Sequence, residues 1–483
     1  MTAAIAGLNP GHLWRSFAEL SVIPRCSRHE ERAARFVLDT AKRLGLDAFN
    51  DSAGNVIARK GASPGREYAP LIALQCHLDM VCEKNSGTAH DFSRDPIELV
   101  RDGNFIRANG TTLGADNGIG VATALALMEE QGIAHGPLEF LFTVDEETGL
   151  NGANNLSPDL LKSRMLINLD SEDEGVVYVG CSGGVDTTGT LPLLFGPLPA
   201  RHRVMRLSVR GLRGGHSGLE IHTGRGNAIK LLARALSALE PSRPRLCSLK
   251  GGNKRNAIPR EAEAIVAIPA GAMEKAAAAI VEMDGIIKAE YAAIDPAVCV
   301  SLEPAADKTR KAMNRRCQQN LVNLLYALAH GVIAMSREIP GLVETSTNCA
   351  TITTAKNAVV VETSQRSSME SEKQDAMNMV DAAFALAGAK VKHGAGYPGW
   401  KPNLASPLLA VAKKVYRETF SREVGVKAVH AGLECGIIGR KYPGMDMLSL
   451  GPTLQMVHSP EERVEIASVE KYWRFLQGIL ETV

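Results

Sequence analysis

The sequence predicts a mostly parallel α/β domain interrupted by an inserted α+β domain. Three observations carry this expectation. Over residues 1–186, apolar strands alternate with helices, and three of those strands stop in acids or histidine. Over 187–400 the texture changes, and strands no longer end in acid clusters. Over 401–483 the first texture returns, which makes 1–186 and 401–483 two parts of one domain.

Leu13, Trp14, Phe17 and Leu20 have helical spacing, and that helix ends before Pro24. Ser27 reads as the N-cap of a second helix with acids in its first turn, running to Gly45. A strand pair follows near 46–50 and 55–60. The run 70–80 is then an apolar strand ending in His77-Leu78-Asp79. After a short hairpin region at 86–109, a Gly-rich loop with Asp116 feeds a helix at 121–130. Leu138 to Val144 reads as a buried strand that stops in Asp145, Glu146 and Glu147. Met165 to Leu169 reads as another, stopping in Asp170. In such sheets the active crevice lies beyond the carboxyl ends of the strands.

The insertion reads as two sets in tandem, each roughly β-α-β-β-α. The first takes strands at 204–209 and 262–268 with helices at 227–239 and 273–292. The second takes strands at 298–302, 343–353 and 358–364 with helices at 309–329 and 371–386. A Gly- and Pro-rich connector, 393–402, leads back to a helix at 407–420, strands at 424–429 and 445–450, and a loop carrying His458.

At 483 residues, with 54 basic and 53 acidic side chains, the chain is long enough for two or three domains and electrically balanced. Nothing calls for nucleic acid or an anionic membrane surface. The N-terminus lacks a basic signal-peptide region, and no apolar run is long enough to span a bilayer. Nine scattered cysteines without a Cys-x-x-Cys pair suit reduced thiols in a cytoplasmic protein.

A buried strand ending in adjacent carboxylates needs a reason, because like charges repel and each resists leaving water; a cation is the cheapest reason, and a solvated acidic turn is the alternative. One carboxylate can then bind the ion while its neighbour works on a proton. His77, Asp116, Glu146 or Glu147, Asp170 and His458 are the candidate ligands. They are hard or borderline donors, suited to Zn²⁺, Mn²⁺ or Co²⁺. They are too many for one tetrahedral ion and suit two ions sharing a carboxylate, roughly 3.5–4 Å apart. Asp116, in a loop with Gly114, Gly118 and Gly120, is the expected bridge. Asp79, two residues past His77, fits a carboxylate that orients a ligating imidazole.

His77-Leu-Asp-Met80, Gly114-Ala-Asp-Asn-Gly118, Glu146-Glu-Thr-Gly149 and Asp170-Ser-Glu172 resemble the co-catalytic zinc peptidase superfamily of aminoacylases, glutamate carboxypeptidases and carnosinases. Gly214-Gly-His-Ser-Gly218, Asn256-Ala-Ile-Pro-Arg260, Tyr397-Pro-Gly-Trp400, His430-Ala-Gly-Leu-Glu-Cys-Gly436 and Gly451-Pro-Thr with His458-Ser-Pro460 extend the likeness over nearly the whole chain. In that order they resemble the bacterial aminoacyl-histidine dipeptidase family. The resemblance implies two divalent metal ions, zinc first, bridged by Asp116. His77 and Asp170 complete one ion, and Glu147 and His458 the other. It makes Glu146 the general base and His216, on the inserted lid domain, the donor to the carbonyl oxygen. His216 is left to act within one chain or across a homodimer.

A dipeptide presents a free carboxylate, which suits an arginine fork, first Arg366 and second Arg260. Glu434 is a candidate for the substrate ammonium group, or equally for a backbone donor. The expected substrates are unblocked dipeptides, Xaa-His and others. A deacylase or carboxypeptidase of the same superfamily is the alternative. A binding protein without catalysis is the other rival, and the spare acid Glu146 argues against it.

Overall fold

In the computed structural model, which describes residues 3–306 and 309–483, the chain forms two units, each built on its own sheet. The first unit runs up to Cys181 and resumes over Trp400–Ala428 and Leu433–Val483. Its strands begin with β1 (Asp47–Asn50), β2 (Val56–Lys60), β3 (Ile72–His77), β4 (Leu138–Thr143), β5 (Met165–Asn168) and β6 (Val176–Cys181). Every residue of β3 and β4 is buried, which is why both read as continuous apolar runs rather than alternating ones. The helix Ala115–Glu129 is buried almost all round, so it is apolar on every face.

The second unit comprises Ser182–Gly399 and Val429–Gly432. It contributes β7 (Gly183–Pro192), β8 (His202–Arg210), β9 (Arg245–Gly251), β10 (Ala262–Pro269), β11 (Cys299–Pro304), β12 (Val343–Thr354), β13 (Ala358–Ser367) and β14 (Lys390–His393). They hydrogen-bond in the order β11-β8-β10-β9-β12-β13-β7-β14. That order contains one topology twice. β8, helix Ala228–Leu239, β9, β10, helix Met273–Tyr291 and β11 form one β-α-β-β-α-β half. β7, helix Arg315–Ala327, β12, β13, helix Glu370–Ala387 and β14 form the other. The two sheets fuse where Lys250 faces Thr353 and Gly251 faces Ile352.

The halves are nested rather than in tandem. The whole first half lies between β7 and the first helix of the second. The strand expected to open the second set, near 298–302, instead pairs antiparallel with β8. Its alternation marks it as a strand but says nothing of its partner, which is set by tertiary pairing. Leu231, Leu232 and Leu236 of one half and Leu321, Leu325 and Phe384 of the other belong to a single buried core.

After the second unit the chain adds β15 (Gly425–Val429) and β16 (Asp446–Ser449) to the first sheet. Its order is β1-β2-β4-β3-β5-β16-β6-β15. The four central strands, β4, β3, β5 and β16, run parallel. β1 and β2 flank them antiparallel on one side, and β6 meets β16 antiparallel on the other. Their carboxyl ends bring His77, the acids after Thr143 and Asp170 to one rim.

Two further expectations are corrected. Cys26 and Cys82 are joined by a disulfide, so the cysteines are not all reduced. The two lie far apart in sequence, and a parallel bridge between Cys26 and Met80 helps bring their segments together. Ser27 does not cap the helix, which starts at Glu31. Its hydroxyl donates instead to Asp79 Oδ2 at 2.8 Å.

Candidate metal centre

The rim of the first unit gathers four of the predicted donors around Asp116. Its Oδ1 lies 3.1 Å from His77 Nε2, and its Oδ2 lies 3.0 Å from His458 Nε2. Asp170 Oδ1 is 3.3 Å from His77 Nε2, and Glu147 Oε1 is 3.1 Å from His458 Nε2. Two triads of ligand atoms result, His77/Asp116/Asp170 and Asp116/Glu147/His458, each within 4.8 Å. They share Asp116. Glu146 joins His77 and Glu147 in a third grouping.

The donor set fits divalent cations. All its atoms are imidazole nitrogens or carboxylate oxygens, and the buried Glu147 Oε1 faces His458 Nε2 at 3.1 Å. The carboxylates of Asp116 and Glu147 raise the basicity of His458, a field that draws in positive charge. Burial pushes the Asp116 carboxyl upward, but His458 and His77 outweigh it and hold it well below the usual carboxylate range.

Asp79 sits behind the rim and is fully buried. Its Oδ1 is 3.4 Å from His77 Nδ1 and accepts the Glu146 amide at 3.0 Å. Its Oδ2 accepts the Glu147 amide at 3.1 Å. Burial would raise its pKa, yet His77, these amides and Ser27 bring it down to about 2. One ionised side chain thus fixes both the imidazole of His77 and the turn carrying Glu146 and Glu147. Burial raises the carboxyl of Glu146 well above its ordinary value, and the charges of Asp170, Glu434 and Glu147 add to this.

Asp145, which no sequence argument employed, holds the turn. It has a left-handed backbone, φ 50°, uncommon for a residue with a side chain. Its carboxylate accepts from Thr148 Oγ1 and Asn151 Nδ2, and its amide donates to Glu30 Oε1 at 2.9 Å. Asn117 was also missed. It accepts the His77 amide at 3.2 Å and donates to the Leu169 carbonyl at 2.7 Å, tying β3 and the end of β5 to the Asp116 loop.

Glu434 is fully buried in the same unit. Its Oε2 accepts from Gln75 Nε2 and Thr143 Oγ1, both at 2.6 Å, so its partners are side chains and not a backbone donor. Oε1 has no hydrogen-bond partner. Burial pushes its pKa up to about 7.

His216, Arg366 and Arg260 lie in the second unit. His216 Nδ1 accepts the amides of Gly218 and Leu219 at 3.2 and 3.1 Å. A neutral His216 therefore carries its ring hydrogen on Nε2, the tautomer of a donor. Arg366 is 7% exposed, which sets it apart from the exposed Arg260. It donates to Tyr397 Oη at 2.9 Å, and its Nε is buried without a hydrogen-bond partner.

His430, buried beside Ser346 at 2.7 Å, has its pKa lowered to about 3 by burial, helped by the charges of Arg366, His216 and His222. Between that value and the ordinary one near 6.5 the unfolded chain binds the proton and the folded chain does not. Stability from this group is thus complete above pH ~6.5 and falls by up to about 1.4 kcal/mol per pH unit below it. Guanidinium unfolding of wild type and His430→Gln from pH 7 to 4 is expected to show a shallower pH slope in the variant.

Imidazole and carboxylate donors from the ends of parallel strands and from two loops, meeting at one aspartate, make this an α/β protein with a candidate metal centre. The chain belongs to the peptidase family M20/M25/M40, whose family model matches residues 73–482. It is 41% identical over 480 residues, 99% of each chain, to the cytosol non-specific dipeptidase of Escherichia coli (strain K12). The crystal structure of aminoacylhistidine dipeptidase from Vibrio alginolyticus matches with a TM-score of 0.90 at 41% identity, covering 99% of this chain and 98% of that one. The aminopeptidase PepT of Bacillus cereus matches with a TM-score of 0.59 at 17% identity over 98% of each chain, which shows the fold alone.

Proposed function

We propose that this chain is a metal-dependent dipeptidase that hydrolyses unblocked dipeptides, Xaa-His and others. The observation that carries it is the sharing of Asp116 by two triads of ligand atoms. His77 and Asp170 would hold one divalent ion and Glu147 and His458 the other, Zn²⁺ first, with Mn²⁺ or Co²⁺ as alternatives. Such ions supply a Lewis acid and a water nucleophile of lowered pKa.

The protein's own groups do the rest. Glu146 takes a proton from the attacking water and passes it to the leaving amine. Asp79 keeps His77 in place and presents Glu146 and Glu147. His216, a donor at Nε2, hydrogen-bonds the carbonyl oxygen as it gains charge, from the same chain or a homodimer partner. Arg366 grips the substrate's free carboxylate, ahead of Arg260 because its buried guanidinium is already held by Tyr397. The unpartnered Oε1 of Glu434 accepts from the substrate ammonium. The dipeptidase names of the two relatives at 41% identity support the substrate class.

A cytoplasmic location is supported by the name of the Escherichia coli relative. No described helix is long and apolar enough to cross a membrane. The Cys26–Cys82 disulfide runs against the location, since reducing compartments disfavour such bonds.

A panel of dipeptides, tripeptides and N-acetyl amino acids tests the reading, run on chelated protein and after adding Zn²⁺, Mn²⁺ or Co²⁺. Cleavage of dipeptides only after metal addition is the expected result. Acetate release without dipeptide cleavage would select a deacylase. Full activity in chelated protein would sink the metal mechanism.

A further inference from the structure

We propose that Arg25 and Glu462 are positioning residues that clamp the Asp116 loop from opposite polar sides and so set the spacing of the two ion sites. The proposal rests on the reading that Asp116 bridges two cations. Both side chains are 2% exposed, and the resemblance gives neither a role.

Glu462 takes the amides. Its Oε2 accepts from Leu113 at 2.8 Å and Gly114 at 2.9 Å, and its Oε1 from Ala115 at 2.7 Å and Asp116 at 3.2 Å. Each oxygen already takes two N–H groups, so the ionised form fits and a carboxyl proton has no place. Arg25 takes the carbonyls. Its Nη1 donates to Leu78 and Asp79, both at 3.0 Å, and its Nη2 to Gly114 at 2.5 Å. Gly114 is thus gripped at both its N–H and its C=O.

The loop's glycines are what admit the guanidinium. A Cβ on Gly114, where φ is +70°, would fall 2.5 Å from Arg25 Nη2, and one on Gly118 would fall 2.7 Å from it. The clamp reaches three segments that carry ligands. Arg25 holds the peptides after His77, both side chains hold the loop entering Asp116, and Glu462 sits on the segment that carries His458. Neither side chain is among the ligand groups, so both act through the backbone.

Replacing Glu462 by Gln leaves one oxygen and puts an NH₂ against two of the amides. The loop must then shift, and Asp116 with it. Outer partners of metal ligands are commonly worth 10–100-fold in metal affinity or activity. The test loads wild type, Glu462→Gln, Glu462→Asp and Arg25→Lys with Co²⁺, a spectroscopic probe. Binding constants from competition with a chelator and the visible Co²⁺ spectrum are read beside KM and kcat.

For Glu462→Gln the expected result is about 10–100-fold weaker binding of at least one Co²⁺. It should come with an altered spectrum, a matching fall in kcat and a KM within about twofold. Glu462→Asp, which keeps both oxygens, should recover part of each. Wild-type uptake of two Co²⁺ with unchanged affinity and spectrum in Glu462→Gln would overturn the inference and leave the two-metal reading intact. Wild type that takes up no Co²⁺ would overturn that reading, and the inference with it. If Glu462→Gln does not fold, Arg25→Lys decides by the same measurements. If neither folds, the pair is a folding element and the positioning role is overturned.

Discussion

Glu146→Gln is expected to lower kcat by about 10³-fold, roughly 4 kcal/mol of transition-state stabilisation, with both metals retained. Glutamine matches glutamate in shape but cannot accept the water's proton. Glu146 is not one of the ligands in the two triads that share Asp116, so their ligand sets survive the change. Burial, with the neighbouring charges of Asp170, Glu434 and Glu147, raises its carboxyl well above the ordinary glutamate value, so it holds a proton more readily than a solvated glutamate. Steady-state kinetics with metal content by elemental analysis check this. Wild-type turnover in the variant would remove Glu146 from the mechanism.

Asp116→Ala is expected to empty both metal sites, and His458→Ala only one. Asp116 gives one oxygen to the His77 side at 3.1 Å and the other to the His458 side at 3.0 Å. Removing it takes a ligand from each triad and leaves each with one histidine and one carboxylate. Activity should fall by at least the ~10³-fold expected for the loss of the base, because the nucleophile and the Lewis acid go together. Metal-to-protein ratios after dialysis against dilute Zn²⁺ separate the variants. Two equivalents retained by Asp116→Ala would show that the carboxylate is not shared.

The candidate site was legible where its signals are local. An apolar run that stops in acids is written in a few adjacent residues, and the ends of β3, β4 and β5 each show one. Asp79 was legible for the same reason, two residues from the imidazole it faces. Contacts that cross the sequence were not. Ser27 reads as a helix cap because a serine before acids usually is one, and its partner Asp79 lies 52 residues on. Glu462 meets Leu113 across 349 residues, and nothing near it in the sequence marks it as more than a solvated acid. The nested halves of the second unit were illegible on the same ground. Period-2 alternation identifies β11 as a strand but cannot say that it completes the half before it.

The sequence by itself marked the candidate donors, the alternation of strands and helices, a change of texture between its parts and, through its motifs, the family. These are matters of residue type, spacing and order along the chain. Only the tertiary structure brought the two triads of candidate ligand atoms together at the expected Asp116, set Asp79 against His77 and both glutamate amides at once, joined Cys26 to Cys82, and placed Arg25 and Glu462 on one loop from both sides. Each depends on side chains converging from distant segments, and that convergence is fixed by packing and strand pairing rather than by local pattern.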